Sequence, residues 1–192
     1  MRELSLHILD LIENSIRAGA SAVSVTLAVE PERDSMKIGV EDNGPGLAVG
    51  SDKAVDPFYT TKMGKRVGLG LSLFGAAAER AGGRLRVGRS RLGGAAVRAT
   101  MQLNHVDRAP LGDLGATLSA ILATNPSLDL RCRVAVGKRR FGVKVSDVEK
   151  ELAGREPNER GATALPRLAV ARRLSDKVKA GLADLDIEEF GF

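Results

Sequence analysis

The sequence of 192 residues has no tryptophan, one tyrosine and five phenylalanines. Side chains that stack on nucleobases or sugars are therefore scarce, which disfavours an aromatic platform for single-stranded nucleic acid. The single cysteine, Cys132, excludes an intramolecular disulfide and a metal cluster of thiolates. No apolar run approaches the roughly 20 residues that cross a bilayer, and acidic residues interrupt the first helix too early for a secretory signal. We therefore expect a cytoplasmic protein without membrane insertion.

The net charge of +5 is small for a chain of this length, but its distribution is uneven. Residues 131 to 144 contain six basic residues and no acid, whereas the end of the chain, from Asp184 to Glu189, is acidic. Lysine and arginine often protect the exposed edge of a sheet, so the basic stretch is interpreted as a solvated strand face. An acidic protein partner is the alternative, and nucleic acid is not expected as a partner.

Hydrophobic periodicity predicts an α+β fold for the first half of the chain. Apolar residues at three- and four-residue spacing indicate a helix over residues 3–18, and alternation indicates strands over 23–29 and 36–40. The pattern disappears between residues 42 and 67, which predicts a long functional loop. A helix over about 70–81 and a hairpin over 85–103 follow. This order of one helix, two strands, a second helix and two further strands predicts a mixed sheet with helices on one face.

A domain boundary is predicted after residue 103, so that residues 1–103 form one domain and residues 104–192 a small α/β and helical extension. The extension is predicted to contain a helix over 114–123, strands over 128–136 and 141–145, a linker over 153–161 and an amphipathic helix over 166–185. That last helix packs on the domain or pairs in a homodimer. The sequence assigns no role to the extension.

Four polar side chains share one edge of the first helix, namely Asp10, Glu13, Asn14 and Arg17. An asparagine oxygen is a hard ligand suited to Mg²⁺, which takes few ligands from protein. A carboxylate one turn earlier, at Asp10, is positioned to take a proton from water, and Glu13 is a competing candidate. Taken alone, this edge is typical of an ordinary exposed polar face, and a magnesium site with Asn14 as its ligand is the alternative interpretation.

Two glycine-rich segments add the features of a nucleotide pocket. Asp42-Asn-Gly44-Pro-Gly46 follows a strand, and a buried aspartate there needs strong hydrogen bonds, such as one from an adenine amine. Gly68-Leu-Gly70-Leu71 precedes a helix, whose free N–H groups and dipole favour phosphate. Lys62, Lys65 and Arg66 lie just before that helix, where they could close over the phosphates.

With these motifs in this order, the chain resembles the GHKL superfamily, which includes gyrase, heat-shock chaperone ATPases, mismatch-repair ATPases and sensor histidine kinases. The stretch Glu13-Asn14-Ser15-Ile16-Arg17-Ala18-Gly19-Ala20 is similar to the mismatch-repair version. Asp56-Pro-Phe58-Tyr-Thr-Thr-Lys62, followed by Gly68-Leu-Gly-Leu71, is similar to the catalytic domain of a histidine kinase.

The resemblance covers about residues 3 to 103 and implies a Bergerat-type fold that binds ATP and Mg²⁺. It implies Asn14 as the Mg²⁺ ligand, Asp42 on adenine and Phe58 as the anchor of a lid. The remaining predicted ATP-binding residues are Arg17, Gly44, Gly46, Leu47, Thr61, Lys62, Arg66, Gly68, Leu69, Gly70 and Leu71. Two positions differ from the family pattern: Ala95 follows Gly94 where the family has threonine, and Asp10 occupies the position of a catalytic glutamate.

The resemblance implies an ATP-dependent, histidine-kinase-like enzyme of signalling or regulation, and leaves three alternatives for the phosphate. The first is a kinase that phosphorylates a partner protein or itself, with His105 as a candidate acceptor because His105-Val-Asp-Arg108-Ala-Pro110-Leu111 is similar to the acceptor pattern. The second is a regulatory ATPase in which Asp10 supports slow hydrolysis and lid closure controls a partner. The third is a nucleotide sensor without catalysis.

Overall fold

A computed structural model describes residues 3–46, 69–154 and 167–190. Its strands are β1 (Ala22–Glu30), β2 (Ser35–Asp42), β3 (Arg84–Arg89), β4 (Ala95–Gln102), β5 (Asp129–Val136) and β6 (Arg139–Lys144). Its helices are α1 (Leu4–Arg17), α2 (Leu69–Arg80), α3 (Leu114–Thr124), α4 (Val145–Ala153) and α5 (Arg167–Asp184), with 3-10 turns at Pro31–Arg33 and Ile187–Phe190.

The six strands form one mixed sheet in the order β3-β4-β2-β1-β5-β6. All neighbouring strands are antiparallel except β1 and β5, which run parallel. Along β1 the side chains of Val23, Val25, Leu27 and Val29 are buried in the core, and the residues between them lie on the opposite face. This alternation fixes the register, because a slip of one residue would expose the whole apolar set.

The helices cover the apolar face of this sheet. Leu4, Ile8 and Ile12 of α1 are fully buried, as is Phe74 of α2. Side chains from α3, α4 and α5 belong to the same continuous core, including Leu118, Val148 and Leu174. Within the described ranges, no helix combines the length and the hydropathy needed to cross a membrane.

The predicted fold class is confirmed, because the structure is an α+β sandwich with a mixed sheet and helices on one face. Each predicted helix and strand is observed within two residues of its predicted ends. One helix, α4, was not predicted: Val145 and Val148 bury one side of it, but a helix of nine residues is too short to give a clear period.

The C-terminal strands extend the sheet of the first half of the chain. β5 pairs with β1 over eight residues, from Ala22 opposite Asp129 to Val29 opposite Val136, and β6 then forms the edge. The predicted domain boundary after residue 103 concerns whether residues 1–103 and 104–192 fold independently, and it remains a prediction.

Candidate functional site

The carboxylate of Asp42 lies at the end of β2 and is held by several hydrogen bonds. Its side chain is buried, and three donors surround it. Ser15 Oγ donates to Oδ2 over 2.7 Å, and the backbone N–H groups of Gly44 and Ala95 donate to Oδ1 over 2.9 and 3.0 Å. Since an ionised carboxylate has about four acceptor positions, one position remains for an external donor such as an amine.

Glycine is required beside this carboxylate because the backbone approaches it closely. A Cβ on Gly94 would lie 2.1 Å from Asp42 Oδ1 and 2.5 Å from the nitrogen of Gly44, so a side chain there would displace both. Gly94 N also donates to the carbonyl oxygen of Asp42 over 3.0 Å. Gly46 has a φ of +80° and packs against Gly94. The turn after β2 and the start of β4 therefore form one wall around Asp42.

The polar edge of α1 brings Asp10, Asn14 and Arg17 together as predicted from their spacing. Arg17 Nη2 donates to Asn14 Oδ1 over 2.7 Å and lies 3.9 Å from Asp10 Oδ1, and its Nε donates to the carbonyl oxygen of Glu13. The guanidinium therefore lies between the predicted magnesium ligand and the predicted base. The side chain of Glu13 is exposed.

The first turn of α2 lies against Asp10. A Cβ on Gly70 would be 1.6 Å from Asp10 Oδ2, so the carboxylate occupies the space that a side chain at position 70 would need. The N-terminal turn of a helix has free N–H groups and a partial positive charge, which favour a nearby carboxylate or phosphate. Leu71 is half-buried and packs on the core. Asp10 therefore faces the helix end that was predicted to hold phosphate.

The site is continuous because Ser15 directly follows Asn14 in α1. Ser15 faces the buried Asp42, Asp10 faces the start of α2, and Asn14 accepts a hydrogen bond from Arg17 beside Asp10. The arrangement can hold an amine-bearing ring at Asp42 and an anion at the start of α2. The amide oxygen of Asn14 and the carboxylate of Asp10 lie on α1 beside these two positions. In the described part of the chain, no three His, Cys, Asp or Glu side chains come together as a metal cluster.

Several predicted contacts fall outside the described residues, namely Leu47, Phe58, Thr61, Lys62, Arg66 and Gly68. Leu69 is described only as the first residue of α2. Their assignments remain predictions.

Ser15 and the N–H of Ala95 were not identified from the sequence as part of the site. One signal was available for Ser15, since it is a polar residue in the buried side of α1, where it is 7% exposed. No signal was available for Ala95, because its backbone rather than its side chain makes the contact.

His105 lies far from this site. β4 begins at Ala95, beside Asp42, and runs to Gln102, which pairs with Ser35 at the start of β2. His105 follows shortly after Gln102, so the length of the sheet separates it from Asp42. Its Nδ1 accepts a hydrogen bond from Asp107 N over 3.1 Å.

Comparison with known families identifies the chain. Residues 2–105, more than half of its length, match the sequence model of the histidine kinase-, DNA gyrase B- and HSP90-like ATPase family. The chain belongs to this family. It is the GHKL family of the sequence resemblance, and the Asp42 pocket, the α1 edge and the start of α2 lie within the matched region.

Solved structures similar to this GHKL chain include the ATP-binding domain of PrrB from Mycobacterium tuberculosis, with 25% identity and a TM-score of 0.40 over 51% of this chain and 66% of that one. The N-terminal domain of a DNA repair protein has 12% identity and a TM-score of 0.47, and the match covers 76% of this chain and 52% of that one. The MutL ATPase domain of Aquifex aeolicus, complexed with ADP, has 12% identity and a TM-score of 0.38, and the match covers 75% of this chain and 63% of that one. The matches therefore span about half to two thirds of those structures. No curated protein matches the chain.

Replacing Ser15 with alanine is expected to weaken the Asp42 pocket of this GHKL domain. The variant loses a buried hydrogen bond to a carboxylate, so we expect the free energy of unfolding to fall by about 1–2 kcal/mol and ADP affinity to fall as well. Urea unfolding and calorimetric titration measure the two effects. Ser5→Ala is the matched control, because Ser5 is buried in the same helix but has only a 3.4 Å contact with Glu3. Equal losses of ADP affinity in both variants would contradict the role of Ser15.

Proposed function

We propose that this chain binds ATP with Mg²⁺ between α1, the Asp42 pocket and the start of α2, and hydrolyses it slowly as a regulatory ATPase. The observation that carries this proposal is the position of Asp10. Its carboxylate touches the first turn of α2 and lies one helical turn before Asn14. A carboxylate beside a phosphate-binding helix end is suited to act on a water molecule near the terminal phosphate.

The Asp42 pocket fits the adenine end of the nucleotide. The carboxylate keeps one acceptor position after its three protein hydrogen bonds, and the exocyclic amine of adenine is a donor that fills it. The close packing at Gly94 and Gly44 leaves the carboxylate no room to move. Asp42 would therefore orient the base, with Ser15 and the two N–H groups holding the carboxylate in place.

The α1 edge fits the phosphate end. Asn14 Oδ1 would hold Mg²⁺, which when bound neutralises charge on the phosphate oxygens. In this structure Arg17 donates to that oxygen, which supports a cation site there. We infer that the guanidinium of Arg17 turns from Asn14 to a phosphate oxygen when the nucleotide enters, since arginine pairs well with both. Asp10, released from Arg17, would then accept a proton from the attacking water.

Phosphotransfer to a protein is the second candidate. It is supported by the histidine-kinase-like pattern of Asp56–Lys62 and of Gly68–Leu71 in the sequence. Transfer to His105 of the same chain is disfavoured, because the length of the sheet separates His105 from Asp42. The acceptor would therefore lie on a partner protein, or on His105 of another copy.

Incubation with ATP labelled at the γ-phosphate separates the two candidates. For the ATPase we expect release of labelled free phosphate. The Asp10→Asn variant should release it about 100-fold more slowly and should bind ATP with the same affinity. Asn14→Ala should instead lower the affinity for Mg-ATP. Glu13→Gln is the control, since the exposed Glu13 is the competing base and its loss should leave the rate unchanged.

Other outcomes reassign the function. Acid-labile label on a protein, without free phosphate, would replace the ATPase by the kinase. Unchanged hydrolysis in Asp10→Asn together with a loss in Glu13→Gln would move the base to Glu13. An unchanged Mg-ATP affinity in Asn14→Ala would remove the proposed nucleotide site itself.

A further inference from the structure

The sheet has a second face, opposite the helices, which is called the open face below. Strand pairing places most of its residues in three rows that cross all six strands from β3 to β6, and the face also includes Glu30 at the end of β1 and Asp129 at the start of β5. The first row is Arg84, Thr100, Lys37, Ala28, Ala135 and Arg140; the second is Arg86, Arg98, Gly39, Thr26, Arg133 and Gly142; the third is Gly88, Ala96, Glu41, Ser24, Arg131 and Lys144.

The open face concentrates positive charge. The three rows contain eight basic residues and one acid, Glu41, and the same face carries two more acids, Glu30 and Asp129, so its net charge is +5. The whole chain also has a net charge of +5, so the residues outside this face together carry no net charge. Such segregation produces a local potential that attracts an anionic partner.

The charge forms two clusters, separated by a strip on β2 and β1 that has no net charge within the three rows because Lys37 and Glu41 offset each other. The β3–β4 cluster consists of Arg84, Arg86 and Arg98, and the β5–β6 cluster consists of Arg131, Arg133, Arg140 and Lys144. On the second row, Gly39 of β2 and Thr26 of β1 separate Arg98 from Arg133. Three strand spacings lie between those two arginines, which is roughly 14 Å.

The open face already binds carboxylates of its own chain. Arg98 pairs with Glu41, Lys37 Nζ lies 2.6 Å from Glu30 Oε1, and Arg131 Nη2 lies 2.6 Å from Asp129 Oδ2. In contrast, Arg84, Arg86, Arg133, Arg140 and Lys144 pair with no carboxylate of the described residues, and all five are exposed. Each cluster thus retains guanidinium groups, which match a carboxylate with two parallel hydrogen bonds.

The distribution of charge favours an acidic polypeptide over a nucleic acid. A phosphodiester backbone carries charge at every step, and one crossing the third row would meet the carboxylate of Glu41. A polypeptide can place acids at the two clusters and neutral residues over the strip. The described strand residues of the open face also include no aromatic side chain, so these residues offer no stacking surface for unpaired bases.

We propose that the open face binds an extended acidic segment of a partner protein, which crosses the strands and contacts both arginine clusters. An extended chain advances about 3.4 Å per residue, so acids about four residues apart span the roughly 14 Å between the clusters. The surface lies on the side of the sheet opposite α1 and α2, and therefore does not compete with the candidate nucleotide site.

Fluorescence anisotropy with a labelled Glu-Glu-Ser-Gly-Ser-Glu-Glu peptide tests the proposal on the full chain. We expect saturable binding that weakens as salt is raised. The variant Arg86→Glu/Arg133→Glu removes one arginine from each cluster and should bind about tenfold more weakly, given up to about 1 kcal/mol for each exposed ion pair. A peptide of the same composition with its four glutamates contiguous should also bind more weakly, since it cannot reach both clusters.

The matched control is Lys150→Glu/Arg172→Glu, which makes the same charge change on the exposed sides of α4 and α5. It should retain peptide binding within about twofold, and thermal melts should show that both double variants fold. If the first variant does not fold, Arg86→Gln/Arg133→Gln replaces it. Equal effects of the two charge reversals, equal binding of the two peptides, or the absence of binding would overturn the proposal. Tighter binding of a 20-base-pair duplex than of the spaced peptide, lost in the same variant, would assign the surface to nucleic acid instead.

Discussion

Replacing Asp42 with asparagine is expected to lower ATP affinity by about 100-fold, equivalent to about 2.7 kcal/mol, while the fold is retained. The asparagine oxygen can still accept the N–H groups of Gly44 and Ala95, and its amide can donate to Ser15. The amide nitrogen, however, replaces the oxygen that we assign to the adenine amine, so that two donors face each other. Isothermal titration of ATP, with urea unfolding of each variant, measures both parts of this prediction.

The neighbouring Glu41→Gln variant is a matched control for Asp42→Asn. Glu41 also precedes the turn, but its side chain lies on the open face, where it pairs with Arg98. Its neutralisation should therefore leave ATP affinity unchanged. If the two variants lose affinity equally, the effect is one of net charge, and the assignment of Asp42 to adenine is wrong.

The second large effect concerns the pH dependence of stability and depends on His7. This side chain is 3% exposed in α1 and its ring stacks on Phe74 of α2, with 5.0 Å between the ring centroids. Burial, with a contribution from the charge of Arg80, lowers the pKa of His7 to about 4 from 6.5. The folded state therefore binds fewer protons than the unfolded state between these pH values, and stability falls as the pH falls below about 6.5.

We expect the free energy of unfolding to fall by about 2 kcal/mol through His7 between pH 7.5 and pH 5, and by about 3 kcal/mol once the pH is below 4. His7→Leu should remove this component, which urea unfolding at pH 7.5 and pH 5 measures. At pH 7.5 the variant should be at least as stable as the parent chain, because Nδ1 of His7 is buried without a hydrogen-bond partner among the described residues.

His105→Leu is the control for His7→Leu, as His105 is the other histidine of the chain and is only partly buried. It should keep the pH dependence of the parent chain. A His7→Leu variant that still loses about 2 kcal/mol between the two pH values would show that carboxylates, rather than His7, control acid stability.

Much of the candidate site followed from sequence spacing. Asp10, Asn14 and Arg17 share a helix edge in any helix of this register, and they meet in the structure. Gly44, predicted as part of the pocket, lies beside Asp42, whereas the close approach of Gly94 to the same carboxylate was not predicted. Donors from distant segments could not be predicted in the same way, since Ala95 N reaches Asp42 only because β4 pairs with β2.

The sequence by itself determined the α+β class, the GHKL family and the boundaries of the described helices and strands except α4, because periodicity and motif spacing are local properties of the chain. Only the tertiary structure decided which groups hold Asp42, that Asp10 touches α2, and that β5 joins β1 in parallel. That last pairing places arginines of β5 and β6 on the same face as those of β3 and β4. It depends on residues more than 100 positions apart, and no local pattern contains it.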